Sequence, residues 1–163
     1  MTLPSQRLAE LGLALPEAAR PLAAYVPATQ VGDLIYTSGQ LPTQSGTLVA
    51  TGKLGEAVLV ADGAGCARVA ALNALAAAAA VAGGLDGIAR VVKVAVFVAS
   101  APGFTEQAKV ANGASELLES VFGEAGRHAR SAVGVASLPL DAPVEVEMVL
   151  QLARRPTVQP VSA

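Results

Sequence analysis

The sequence predicts an α+β fold, a sandwich of one mostly antiparallel sheet with two main helices on one of its faces. Three observations predict it. Two long helix-compatible stretches, about 57–82 and 103–122, are each followed by a valine-rich run that suits a strand. The closing segment alternates, with Val144, Val146 and Met148 directed to one face and Glu145 and Glu147 to the other. Near the start, Gly32-Asp33 separates two β-like runs as a hairpin signal. Hairpin, helix, strand, helix and two strands is an order that packs helices against one sheet face.

Residues 4–14 suit a short helix, with Pro4 or Ser5 near its start and Pro16 beyond its end. Residues 17–24 read as a linker, and the two runs of the hairpin cover about 24–30 and 33–38. The Gly-, Thr- and Ser-rich stretch 42–55 reads as a loop with a short strand at 48–50. A long helix covers roughly Ala57 to Ala82; Gly63 and Gly65 weaken its first half, which shifts the start toward Ala64. Residues 89–99 are apolar on both alternating faces apart from Arg90 and Lys93, the pattern of a strand buried on both sides. The second helix runs from about Gly103 to Phe122 and ends at Gly123 and Gly126. Arg130 opens the next strand, and Pro139, Asp141 and Pro143 make 138–143 a turn-rich connection to the last. If those two strands form a hairpin centred near Leu140, Glu145 faces Val135, and five residues of strand leave it roughly 17 Å from Arg130. Either the pairing is different, or the arginine of one subunit meets the glutamate of another. The whole of 1–163 reads as one domain, with an N-terminal helical extension (1–23), a core (24–153) and a tail (154–163).

Composition narrows the function. Charged residues are 15% of the chain against a usual ~25%, so part of the surface is expected to be covered in an oligomer. The net charge is −2 and the one Lys/Arg doublet is Arg154-Arg155, which argues against a nucleic-acid partner. The single cysteine, Cys66, excludes an intramolecular disulfide. The alanine-rich run from Val69 to Gly84 holds Asn73 and is shorter than the ~20 residues of a membrane span, so it reads as a buried helix. No signal peptide is apparent, and a cytoplasmic protein is expected. With His128 the one histidine, a multi-histidine metal site within a single chain is impossible, and Gly63-Ala-Gly65 completes no dinucleotide fingerprint. No cofactor is expected.

Several segments carry a family pattern in order: Tyr25-Val26, then Tyr36-Thr-Ser38-Gly39-Gln40-Leu-Pro42, the strand 92–98, Asn112 in the following helix, and Arg130-Ser131 followed by Leu138-Pro139 and Val144-Glu145-Val146-Glu147. This resembles the Rid family, the reactive intermediate deaminases, also called the YjgF family, over most of the chain. The resemblance implies a chorismate-mutase-like fold, a homotrimer with sites in the clefts between subunits, and cofactor-independent hydrolysis of 2-imino acids to 2-keto acid and ammonia. It implies that Arg130 forks onto a substrate carboxylate and that Glu145 positions water and handles protons, with Tyr25, Ser38 and Asn112 lining the pocket. Taken alone, Arg130 is a surface arginine, Glu145 and Glu147 solvated strand residues, Tyr25 a half-buried aromatic, Ser38 a turn residue and Asn112 a polar helix residue. Three departures bear on activity. Ala132 stands where family deaminases commonly carry cysteine, the loop after Pro42 differs, and Asn112 is one residue farther from Arg130 than usual. A non-catalytic module that binds small carboxylates is the alternative; ribonuclease activity, also reported in the family, fits poorly with the lack of basic clusters.

Overall fold

The computed structural model describes residues 2–18 and 24–153. The elements run α1 (Pro4–Glu10), β1 (Ala28–Val31), β2 (Leu34–Thr37), β3 (Thr43–Gln44), β4 (Thr47–Leu48), α2 (Val60–Ala82), β5 (Ile88–Ala99), α3 (Gln107–Phe122), β6 (Ala129–Val135) and β7 (Val144–Leu152). Five strands form one sheet in the order β1-β2-β7-β5-β6, and β3 and β4 form a separate small ribbon. Every pairing in the large sheet is antiparallel except β5 with β6. Both long helices lie on one face, α2 over β7 and β2 and α3 over β5 and β6. The α+β class and its helices on one face are as the sequence predicts.

Local chemistry explains the elements. Gly32 adopts φ +62° between β1 and β2, a conformation that costs glycine nothing. Alanine, the best helix former, fills α2, and Gly83 ends that helix in the left-handed region with its N–H on the Ala79 carbonyl. Strand β7 is central because Val144, Val146, Met148 and Leu150 are all buried under the helices while its edges pair with β2 and β5.

Four expectations are corrected. The last two strands are not a hairpin: β5 lies between them and β6 runs parallel to β5. The β5–α3–β6 crossover lays β6 parallel to β5 along one edge, and β7 pairs antiparallel with the other edge of β5. Strand β5 is buried on its helix side, at Val91, Val94, Val96 and Val98, but in the single chain Lys93 on its other side is exposed. Helix α2 starts at Val60, because Gly63 is a packing residue: a Cβ there would come within 2.7 Å of Leu54 Cδ1. At 23 residues α2 is also long and apolar enough to cross a membrane by length and composition, so the alanine run alone understated it; here it buries residues from Gly63 to Ala79 inside the sandwich. Element ends shift too: α1 stops at Glu10, α3 begins at Gln107, and the short strand after Pro42 is Thr47–Leu48, paired with Thr43–Gln44. Most of the expected linker, and the tail with Arg154-Arg155, lie outside the described residues.

The chain joins β6 to β7 by crossing the end of β5. Leu140 and Asp141 both take positive φ (58° and 60°) in this crossing, and Leu140 is 75% exposed. The Gly52 N–H donates to the Asp141 carbonyl at 2.8 Å and the Ala99 N–H to the Pro143 carbonyl at 2.9 Å, which tie the crossing down.

The two helices touch backbone to backbone. A Cβ on Gly113 of α3 would collide with the Ala64 carbonyl oxygen of α2 and lie 2.6 Å from its carbonyl carbon. Gly113→Ala is therefore expected to destabilise by about 1–3 kcal/mol despite its better helix propensity, seen as a Tm roughly 2–12 °C lower. Gly65→Ala on α2, where a Cβ meets nothing within 4 Å, should be neutral or stabilising by up to about 1 kcal/mol. Equal effects in thermal unfolding would contradict the contact.

Candidate functional site

Arg130 is paired with Val94 across β5 and β6, so it shares the helix side of the sheet. Its side chain reaches α3. Nη1 donates to Asn112 Oδ1 at 2.9 Å and to Ser115 Oγ at 3.1 Å, and Nη2 to the Ala108 carbonyl at 3.4 Å. Asn112 and Ser115 are three apart on α3 and so lie on one side of it. Among the described residues nothing accepts from Nε–H. Nε–H and the adjacent Nη2 hydrogen are parallel donors, the arrangement that takes both oxygens of a carboxylate.

Glu145 is opposite Phe97 on β5, and so points to the sheet face without helices. It is half-buried, and that burial pushes its carboxyl above the ordinary glutamate range, with the charge of Glu147 adding to the effect. The carboxylate lies over the backbone of Gly39: a Cβ built there would run into Glu145 Oε1 and stand 2.7 Å from Cδ. Gly39 is held in turn. Gln40 and Val146 exchange backbone hydrogen bonds at 2.8 and 3.0 Å, and Ser38 donates through its N–H to the Pro27 carbonyl at 2.8 Å and through Oγ to the Val26 carbonyl at 2.6 Å. Tyr25, next to Val26, is 55% exposed.

The five residues singled out from the sequence thus form two groups. Arg130 and Asn112 are hydrogen-bonded on the helix side. Ser38 stands beside the glycine that carries the Glu145 carboxylate, with Tyr25 linked through Val26. Two strand spacings and a three-residue stagger separate the Cα atoms of Arg130 and Glu145 by about 14 Å, and their side chains leave opposite faces. A cavity of about 700 Å³ is lined by Gln40, Thr43 and Asn73 among others, but by neither Arg130 nor Glu145. Among the described residues no three His, Cys, Asp or Glu side chains converge as metal ligands.

Three residues that contact these groups were not among the five; of them, His128 reads from the sequence as a loop residue, with contact at a pocket rim as the alternative. Gly39 was legible only as part of a motif, although a lone glycine at a strand end marks close approach. Ser115 follows Asn112 by three helical positions. His128 hydrogen-bonds through Nε2 to Ser115 Oγ at 3.1 Å and through Nδ1 to the Gly126 carbonyl at 2.6 Å; its place two residues before Arg130 was the available signal.

Known proteins share this arrangement of elements. The profile of the family described as "YjgF/chorismate_mutase-like, putative endoribonuclease" matches residues 5–152. The chain belongs to this family. Membership bears out the resemblance carried by Ser38–Pro42 and Arg130–Glu147, and with it the YjgF-type fold. Protein TCP17 of Trypanosoma cruzi is 49% identical over 146 residues, which are 89% of this chain and 91% of that protein. The crystal structure of Atu1372 from Agrobacterium tumefaciens is also 49% identical and superposes with a TM-score of 0.85 over 92% of each chain. That of E. coli TdcF with bound serine is 26% identical, with a TM-score of 0.61 over 84% of this chain and 94% of its own.

The raised Glu145 carboxyl has a consequence for stability. Between the ordinary glutamate value of about 4.3 and the higher folded value, the folded state holds more protons, so stability falls as pH rises through that window. Glu145→Gln removes the desolvated charge. The variant should be at least as stable as wild type at pH 7, and its relative advantage should shrink toward pH 4. Thermal unfolding at both pH values checks this, and a clear loss of Tm at pH 7 would contradict it.

Proposed function

We propose that this protein hydrolyses 2-imino acids to 2-keto acids and ammonia, without a cofactor, at sites shared between subunits of a homotrimer. The observation that carries the reading is the division of the candidate site into two halves of complementary chemistry. One half is a guanidinium whose Nε–H has no acceptor among the described residues and stands beside an Nη2 with one bond, to the Ala108 carbonyl; the other is a half-buried carboxylate of raised pKa. Each suits its task, a carboxylate clamp and a weak base working near neutral pH. Because they leave opposite faces of the sheet, one small substrate reaches both only if a second subunit supplies one of them. The open face supports the oligomer: Tyr36 and Val133 are 41% and 45% exposed there, with the half-buried Phe97, Ala95 and Val149 around the charged Lys93 and Glu147, a mixed surface that a neighbouring copy would cover.

The chemistry needs little beyond positioning. Arg130 holds the substrate carboxylate and so fixes the imine carbon, which is already electrophilic. Glu145 accepts a proton from water as the water oxygen bonds to that carbon and the C=N π electrons move to nitrogen. That proton is returned to the nitrogen to give the carbinolamine; Glu145 then takes the hydroxyl proton and passes it to the amine as the C–N bond breaks, so ammonia leaves as the carbonyl forms. Asn112 serves by holding the guanidinium, and Tyr25 and Ser38 by shaping the wall beside Glu145. A second reading, a binding module for small carboxylates, is favoured by Ala132 in the position where family deaminases commonly carry cysteine, and by the serine bound to TdcF, itself an α-carboxylate. A ribonuclease is disfavoured by the net charge of −2 and the low charge fraction, since phosphate contacts draw on Lys and Arg.

Arg130→Lys keeps the charge and loses the fork, so kcat/KM on 2-iminopropanoate should fall at least ~10-fold, about 1.4 kcal/mol. Glu145→Gln should lower kcat by ~10²–10⁴ while pyruvate still binds, and Glu147→Gln should change little. Equal small effects of the two glutamine substitutions would remove Glu145 as the base; pyruvate binding without any imine hydrolysis by wild type would leave the binding module.

Oligomeric state and site sharing are tested together. Light scattering should give three chains, and a mass of one 16.2 kDa chain at micromolar concentrations would overturn the trimer. Mixing unfolded Arg130→Lys and Glu145→Gln chains and refolding them should restore up to about a quarter of the wild-type sites by subunit statistics. No recovery would assign both residues to one chain's site.

A further inference from the structure

We propose that His128, acting through Ser115, is the positioning residue that sets the plane of the Arg130 guanidinium and thereby the direction in which the site accepts a carboxylate. The inference rests on the carboxylate role of Arg130 and extends it to two residues outside the family pattern read from the sequence.

The argument is one of hydrogen-bond direction. The Gly126 carbonyl can only accept, so the His128 nitrogen 2.6 Å from it, Nδ1, carries the ring proton. In the neutral ring Nε2 is then an acceptor, and its partner at 3.1 Å, Ser115 Oγ, must donate. With its hydrogen directed to His128, the hydroxyl presents lone pairs to Arg130, whose Nη1 stands 3.1 Å away. The Asn112 carbonyl oxygen takes the other hydrogen of Nη1 at 2.9 Å. Two acceptors from one helix therefore direct both hydrogens of a single nitrogen, and the planar group loses its freedom to turn about its long stem. Nη2 gives one hydrogen to the Ala108 carbonyl of the same helix at 3.4 Å, and the donors left over are Nε–H and the second hydrogen of Nη2.

Ser115 is not in this position by helix habit. A serine within a helix commonly donates to the carbonyl four residues back, and Ser120 on the same helix does so, to Glu116 at 2.7 Å. Ser115 turns outward to His128 instead. The neighbouring Arg127 does not compete for these acceptors, because its Nε donates to Glu119 at 2.9 Å. His128 itself is half-buried between the end of α3 and the start of β6, so its ring is held by the same elements that carry Arg130.

The test uses the full-length protein with pyruvate as probe. Titration calorimetry should give a roughly threefold to tenfold weaker affinity in Ser115→Ala and in His128→Phe, the worth of one neutral hydrogen bond. His128→Gln should recover most of it, because its amide oxygen can stand near the position of Nε2 and accept from Ser115. In kinetics with 2-iminopropanoate the loss should fall mainly on KM. Nitrogen-15 NMR of the ligand-free protein supplies a readout that a merely structural role would not move: slow rotation keeps the Arg130 Nη signals separate in wild type, and they should broaden or merge in Ser115→Ala and His128→Phe. If both variants retain wild-type affinity and separate Nη signals while Arg130→Lys loses pyruvate, the positioning role is overturned and the carboxylate role stands. If Arg130→Lys binds pyruvate as wild type does, the carboxylate reading falls and the proposal with it.

Discussion

The approach of α3 to α2 at Gly113 and Ala64 is the constraint on which the rest of the architecture turns. No side chain separates the two helices at that point, so the depth at which α3 sits is set by backbone contact rather than by compressible packing. Fully buried alanines stand on both helices near it, Ala111 and Ala114 on α3 and Ala67, Ala70 and Ala71 on α2. Interiors packed this closely resist small displacements. Asn112 and Ser115 flank the contact, and the guanidinium of Arg130 hangs from them. A core contact between two helices therefore fixes the position of a charged group on the far side of one of them.

The other half of the site depends on a second glycine for a different reason. Gly39 lets a carboxylate approach a backbone, and the cost falls on the carboxylate, which loses hydration and gains affinity for a proton. A group of this kind is a poor contributor to folding at neutral pH and a better base than a solvated glutamate. Stability given up at one residue is consistent with the way functional sites are held against the preference of the surrounding fold.

The sequence made the fold legible wherever one local signal ruled. Alternation identified β7 and its buried face, alanine identified α2, and Gly32-Asp33 identified the first hairpin. Strand adjacency was not legible: the spacing from Arg130 to Glu145 suits a tight hairpin, and nothing local says that β5 will lie between. The face of each site residue followed from register, which is a property of pairing and not of the segment itself. Motif residues revealed Arg130, Glu145, Asn112, Ser38 and Tyr25 as candidates, whereas Ser115 and His128 emerged only when a helix and a loop were brought together in space.

The crossing from β6 to β7 has a consequence for how such a chain can change. It must clear the end of β5 within eight residues, and it does so through a leucine and an aspartate in a backbone region that suits glycine. Strain of about 1–3 kcal/mol per residue is balanced by the hydrogen bonds to Gly52 and Ala99 from neighbouring segments. The loop is thus an unspent reserve: glycine or asparagine there would relax the backbone while leaving the contacts of Arg130 and Glu145 untouched. A lineage or an engineer needing tolerance for a costly change near Arg130 or Glu145 can draw that tolerance from a turn whose Asp141 carbonyl bonds to Gly52 instead.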